Sequence, residues 1–304
     1  MAQDHTADQW RAGQADLPQE TQPKQADVPA RLERLPVGHP SSPYRDDGSR
    51  KPPPPDLSEY ELPLPDETEL PAADHARTAP DGSWDWKGYT LSPERSLIAN
   101  QTIARCRDTE GRDMDGSYSG RGLTPAMRGI EAQLDHGRLV EDTEKFALKD
   151  PDRFKEKYAK LIAADPDIDP AELVYRIRDG VRYTFIYEDA NYSSGVTEVC
   201  ATIAAAGYEP YERKNAWVDE TKVYQGVNST WRDPSYDILF EVQVHTPASW
   251  HAKQESHPFY EIIESPSSTK EQRSEAAKRQ REIFSEVPIP PDVTNIPSYR
   301  KEGW

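Results

Sequence analysis

Hydrophobic and polar positions alternate from Leu239 to Thr246. Phe240, Val242 and Val244 fall on one side and Glu241, Gln243 and His245 on the other, the period of a strand. Tyr224, Gly226 and Asn228 repeat the same spacing before a turn at Asp233-Pro234, so the two runs read as a hairpin. Gly180 to Tyr187 is another strand, rich in aromatic and β-branched residues, and Tyr208 to Asp219 reads as a strand and turn. Between these runs the period lengthens to that of a helix. Ser92 caps and Pro93 opens one helix reaching about Arg107; Thr124-Pro125 opens another ending at His136-Gly137. Residues 138–163 are expected to be helical around a break at Asp150-Pro151, and Asp167 to Arg178 a short helix. Ser194 to Gly207 is expected to bury Val196, Val199, Ile203 and Ala204. After the hairpin, Trp250, Lys253, His257 and Tyr260 share a helical stripe, and Lys270 to Ile283 is a charged helix. Val287 to Ile296 is expected to be extended through Pro288, Pro290 and Pro291, with both tail pieces covering the domain surface. This order predicts an α+β fold: a mixed β-sheet flanked by helices, with its core at about 138–264.

No period persists over residues 1–83. Fourteen of the 28 prolines fall before residue 81, with few aliphatic residues among them, so the segment lacks the apolar surface to offset chain entropy. It is expected to be a long disordered leader, either a passive linker or a docking tail, ahead of one domain at 84–304. The leader accounts for a chain that is only 35% hydrophobic and 30% charged, with mean hydropathy −0.91. A formal net charge of −17 repels nucleic acid in general, so a nucleotide has to be met by a local basic pocket. No apolar run approaches the roughly 18 residues of a membrane span. The first residues carry neither a basic nor an apolar signal region, which predicts a cytoplasmic protein or one exported without a signal peptide. Cys106 and Cys200 are the only cysteines; reduced thiols are the default, and a disulfide stays open. No Cys/His cluster has zinc spacing.

The polar side of the Leu239–Thr246 run carries the chemistry. Ionisable groups in register on one strand face suit a wet pocket, although a hairpin with a solvated face gives the same pattern. Glu241 is the exception to that plain alternative, because a glutamate between Phe240 and Val242 in mid-strand has no evident structural purpose. A second candidate is Lys149-Asp-Pro-Asp-Arg153-Phe-Lys155-Glu-Lys157, where cations gather at a helix start, a natural place for phosphate.

Several motifs in sequence order carry a resemblance. Tyr224-x-Gly226-Val227-Asn228, then Phe240-Glu241-Val242-Gln243-Val244-His245-Thr246, then Lys253 and His257 before Tyr260-Glu261, resemble the synthetase domain of the RelA/SpoT superfamily. The similarity is to its branch of small nucleotide 3′-pyrophosphokinases, which includes toxin-like members. It implies a nucleotidyltransferase-like fold over about residues 90–295. It also implies transfer of the β,γ-pyrophosphate of ATP to the 3′-hydroxyl of a purine nucleotide, with Mg²⁺ as cofactor. Asp179 and Glu241 take the metal roles, and Glu241 also accepts the hydroxyl proton. Lys149 and Lys157 fall on the family's two phosphate-binding lysines. Arg153 replaces a serine between them, and Ala147 stands where the family often has an arginine, leaving Arg153 or Arg178 for the donor purine. Asp179 directly precedes Gly180, unlike the broad Asp-x-x-Gly-x-Arg pattern, yet matches an Asp-x-x-Arg-Tyr-Thr version. Arg182 supports the phosphates, and Tyr224 stacks on the acceptor base. Asn228 stands where many members have His. Gln243, His245, Lys253 and His257 line the site, the last three toward acceptor phosphates. No His-Asp pair occurs in the sequence, so a synthesis-only enzyme is expected, with a toxin or effector role and a delivery or immunity partner. A tRNA 3′ end is the alternative acceptor, and an inactive nucleotide-binding adaptor the alternative of another class.

Overall fold

The computed structural model describes residues 77–301, apart from 114–116, 119, 170–172, 174, 175 and 220. The expected proline-rich leader lies outside the described residues up to position 76, as does much of the helix expected at Asp167–Arg178. Two short strands, β1 (Trp84–Trp86) and β2 (Tyr89–Leu91), form a hairpin of their own. Two helices follow, α1 (Pro93–Glu110), with Ser92 as its side-chain cap, and α2 (Leu123–Glu131).

The main sheet has six strands: β3 (Arg138–Leu139), β4 (Arg182–Ile186), β5 (Glu209–Asn215), β6 (Val227–Asp233), β7 (Ile238–His245) and β8 (Tyr299–Arg300). Their spatial order is β3-β4-β7-β6-β5-β8, antiparallel throughout except for the parallel β4–β7 pair. The expected mixed sheet flanked by helices is what the chain forms. Helices α3 (Thr143–Phe146), α4 (Pro151–Ala164), α5 (Tyr192–Ala205), α6 (Pro247–Glu264) and α7 (Lys270–Ser285) complete it.

Register gives the sheet two unlike faces. Arg182 lies beside Glu241, Thr184 beside Gln243 and Ile186 beside His245, while Asn228 and Thr230 pair with Gln243 and Glu241 from the other side. The opposite face presents Tyr183, Phe185, Phe240, Val242, Val244, Val227 and Trp231, all at most 1% exposed and part of one continuous core. That core supplies the hydrophobic driving force, and the polar face is placed by it. Helix α5 approaches Tyr187 so closely that a Cβ on Gly195 would lie 2.2 Å from the ring.

Four sequence expectations need correction. Arg138–Leu139 is a strand rather than helix, because two residues can pair with Phe185 and Ile186 without showing any period of their own. Tyr224 and Gly226 precede β6 instead of belonging to it, and pairing with β7 begins at Val227. Ala204 of α5 is exposed, although Val196, Val199 and Ile203 are buried as expected. The tail is also more than a cover: Val293 and Ile296 join the main core, around a short turn of 3₁₀ helix at Val293–Asn295.

Candidate active site

Helix α6 closes over the polar face of the sheet. It starts immediately after β7 with a capping box, in which the Thr246 hydroxyl accepts from the Ser249 N–H at 3.1 Å and Ser249 Oγ accepts from the Thr246 N–H at 3.0 Å. Trp250 and Lys253 are thereby held over the strands. With this lid in place Gln243 is 4% and His245 0% exposed, so the face is a buried polar network rather than a solvated one.

Glu241 stands at its centre. Its Oε1 accepts from Asn228 Nδ2 at 3.2 Å and its Oε2 from Gln243 Nε2 at 2.8 Å. Gln243 Oε1 in turn accepts from the Lys253 ammonium, which also lies 4.4 Å over the Trp250 ring. Asn228 Oδ1 accepts from the Tyr224 hydroxyl at 2.7 Å, and the same hydroxyl meets His245 Nε2 at 2.7 Å. His245 Nδ1 meets Ser249 Oγ at 2.9 Å. Burial raises the Glu241 carboxyl above its ordinary value, against the nearby Arg182, and the negative charge of Asp179 pushes the same way. Burial and Arg182 bring the Lys253 ammonium down to about 7, with Glu241 opposing. Burial, with Lys253 and Arg182, keeps His245 well below its ordinary value and therefore neutral.

A second group lies where α4 begins. Asp150 caps the helix, accepting from the Arg153 N–H at 3.0 Å, with Pro151 at the first helical position. Lys149 Nζ and Lys157 Nζ converge on Asp179 at 2.9 and 2.6 Å. Burial alone would raise Asp179, but the two lysines outweigh it and hold the carboxyl well below the usual range. Burial lowers Lys149 below its ordinary value. The charge of Asp179 bears on Glu241, with Lys149 and Lys157 on Asp179, Arg182 beside Glu241 in the sheet, and Lys253 joined to it through Gln243.

Two expected site residues sit apart from this network. Arg153 pairs with Glu261 and, at 3.0 Å, with Glu156, and stands 5.0 Å over the Trp86 ring, which Lys87 also covers at 4.4 Å. His257 is 64% exposed and faces Glu261 at 3.6 Å. Arg178, the other substitute for the missing arginine, pairs with Glu212 and covers Tyr211. Ser249 escaped notice in the sequence, although Thr246-Pro247-x-Ser249 at the end of a strand is a recognisable helix start. Both cysteines are free; Cys106 is buried.

No family model matches the sequence, and no curated protein matches it. Solved structures do. A GTP pyrophosphokinase family protein from Streptococcus pneumoniae is 13% identical, with a TM-score of 0.40 over 64% of this chain and 92% of its own. Small alarmone synthetase 2 from Bacillus subtilis is 11% identical, with a TM-score of 0.37 over 62% and 94%. Small alarmone synthetase 1 from Bacillus subtilis is 16% identical, with a TM-score of 0.36 over 62% and 94%. Agreement this loose adds no detail to the site, which rests on the contacts above.

The two carboxylates suit a particular kind of metal. Among the described residues, no three His, Cys, Asp or Glu side chains group closely enough to hold a metal ion by themselves. A pair of carboxylates beside cationic groups instead fits Mg²⁺, which takes one or two protein carboxylates and completes its shell with water and substrate phosphates. Also among the described residues, no helix is long and apolar enough to cross a membrane.

Proposed function

We propose that this protein is a nucleotide 3′-pyrophosphokinase, which transfers the β,γ-pyrophosphate of ATP to the 3′-hydroxyl of a purine nucleotide. The observation that carries the reading is a pair of carboxylates set among cations: Lys149 and Lys157 meet Asp179 at 2.9 and 2.6 Å, and Glu241 lies beside Arg182 in the sheet and is linked through Gln243 to Lys253. Phosphoryl-type transfer asks mainly for positioning and charge stabilisation, and that constellation supplies both. Lys149, Lys157 and Arg182 hold the donor phosphates. Glu241 accepts the proton of the 3′-hydroxyl, whose oxygen bonds to the β-phosphorus as the bond from that phosphorus to the α,β-bridging oxygen breaks and AMP leaves. Asp179 and Glu241 would hold Mg²⁺, which when bound neutralises charge on the phosphates. Before that, Lys149 and Lys157 must turn from Asp179 toward the incoming phosphates. The Tyr224 ring offers a stacking surface beside the acceptor base.

The test uses the full chain with Mg²⁺, β-labelled ATP and a panel of GTP, GDP, ATP, ADP, AMP and deacylated tRNA. Label is expected on the 3′-oxygen of a free purine nucleotide, and Glu241→Gln is expected to fold normally and make no product. Label on tRNA would move the assignment to a tRNA 3′-end acceptor, against which the net charge of −17 weighs. ATP binding without transfer to any acceptor would leave a nucleotide-binding adaptor.

A further inference from the structure

The side chains that grip Glu241 are both carboxamides, and a carboxamide carries a donor end and an acceptor end of almost the same shape. Only its hydrogen-bond partners decide which end points where. An amide with its oxygen toward Glu241 would repel the carboxylate; with its NH₂ that way it holds it. The structure shows both amides turned the second way, and shows what turns them.

We propose that Tyr224, through its hydroxyl, and Lys253, through its ammonium, are positioning residues that orient Asn228 and Gln243 into a two-sided clamp on Glu241. The inference rests on the reading of Glu241 as the group that receives the acceptor's proton. In its charged form, which Glu241 favours, Lys253 has donors only and meets the oxygen end of Gln243, so the Gln243 NH₂ is left facing Glu241 Oε2 at 2.8 Å. On the other side, the Tyr224 hydroxyl occupies Asn228 Oδ1 at 2.7 Å and leaves Nδ2 facing Glu241 Oε1 at 3.2 Å. Tyr224 has one proton to give. If Asn228 receives it, His245 Nε2 has to donate to the Tyr224 oxygen at 2.7 Å, and His245 Nδ1 has to accept from Ser249 Oγ at 2.9 Å, which takes the Ser249 proton in preference to the Thr246 carbonyl, 3.3 Å away. A neutral imidazole with its proton on Nε2 satisfies the whole run, and His245 is fully buried where the neutral form is favoured. Ser249, His245, Tyr224 and Asn228 therefore point their protons one after another toward Glu241, and Lys253 and Gln243 do the same from the other side. One lone-pair direction on each Glu241 oxygen is fixed, which sets the carboxylate plane and leaves its outer directions for substrate.

The proposal separates the hydroxyl of Tyr224 from its ring. Tyr224→Phe keeps a stacking surface and deletes the donor; Lys253→Met keeps length and deletes the charge. Each variant is expected to lower kcat about tenfold, with acceptor KM changed less than about twofold and the thermal midpoint close to wild type. In an Asn228→Ala background, Tyr224→Phe is expected to cost nothing further, because its route to Glu241 is already cut. An unchanged kcat, a rise confined to acceptor KM, or losses that simply add in the double variant would each overturn the clamp and make the two residues substrate contacts. Crystal structures of both variants decide the matter without turnover. The Glu241 carboxylate is expected to shift from its place between Asn228 and Gln243 in each, and an unmoved carboxylate in both would refute positioning. A wild-type protein that transfers nothing would defeat the proposed reaction, while a displaced Glu241 in the variants would leave the clamp standing.

Discussion

Gly226 shows how a single residue governs the site. A Cβ there would lie 2.8 Å from His245 Cε1 and 2.9 Å from the Tyr224 hydroxyl. Backbone passes so close to this hydrogen-bonded pair that only hydrogen fits. Gly226→Ala is therefore expected to push the two rings apart, lower kcat about tenfold and cost roughly 1 kcal/mol of stability. Steady-state kinetics and urea unfolding read the two effects, and wild-type values for both would mean that the pair has slack the distances do not show. At this scale the sequence was informative about residue types and poor about partners. The alternation from Leu239 to Thr246 marked Glu241, Gln243 and His245 as one face, and the register confirms that they share it. Nothing in the spacing reveals that the Tyr224 hydroxyl reaches Asn228 and His245, because those bonds depend on a loop ahead of β6 and on a residue at the far end of β7. His257 shares the stripe of Trp250 and Lys253 by helical spacing, yet it is exposed beyond the edge of the sheet's polar network. Helical periodicity reports a direction around an axis and not how far along that axis the sheet extends.

Helix α6 is the element that turns an alternating strand into a site. Without it the polar side of β7 would face water; with it Gln243 and His245 are enclosed. Ser249 links the start of the helix to the network, since its hydroxyl serves both the Thr246 N–H and His245 Nδ1. Ser249→Ala removes both bonds and is expected to destabilise the fold by about 1–2 kcal/mol. Thr246→Ser keeps the cap hydroxyl and is expected to cost less than half as much. A urea series on the two variants checks the order, and equal losses would show that the two Ser249 bonds count for no more than the Thr246 methyl group. Elements with strong local signals were legible. Ser92-Pro93 and Asp150-Pro151 start helices α1 and α4 where the capping chemistry places them, and Gly207, at φ 97°, follows the end of α5. Strand β3 was not legible, because it exists only through its partner β4, more than forty residues later.

Across the described residues, the fold buries several groups that titrate at alkaline pH, and this makes its stability depend on pH. Tyr183, Tyr187 and Tyr192 lie in the core with at most 1% exposure, and burial pushes each phenol above its ordinary value; Tyr224 shifts the same way for the same reason. Burial also pushes the Cys106 thiol up to about 12 from 9.0, against the attraction of Arg105. The tail contributes to this enclosure: Phe284 of α7 packs edge-on to Tyr224 at 6.3 Å, and Asn215 donates to the carbonyls of Val293 and Ile296. A charged helix followed by prolines gave no hint in the sequence of these anchor points, since each depends on one or two apolar residues in a polar run. The sign follows from linkage. A raised acid keeps its proton in the folded state while the unfolded chain releases it, so its stabilising share is full below the unfolded value and is lost as pH climbs toward the folded one. For Cys106 that window runs from about 9 to about 12, and the loss reaches about 2 kcal/mol by pH 10.5. The phenols begin to add to it near pH 10. The urea midpoint is therefore expected to fall between pH 7.5 and 10.5. The growing negative charge of an already acidic chain pushes the same way, so Cys106→Ala isolates the thiol. That variant starts less stable because of the space it leaves, but its further loss on going to pH 10.5 should be smaller than wild type's by about 2 kcal/mol. Parallel losses in the two proteins would mean that Cys106 reaches solvent readily enough to ionise in the folded state.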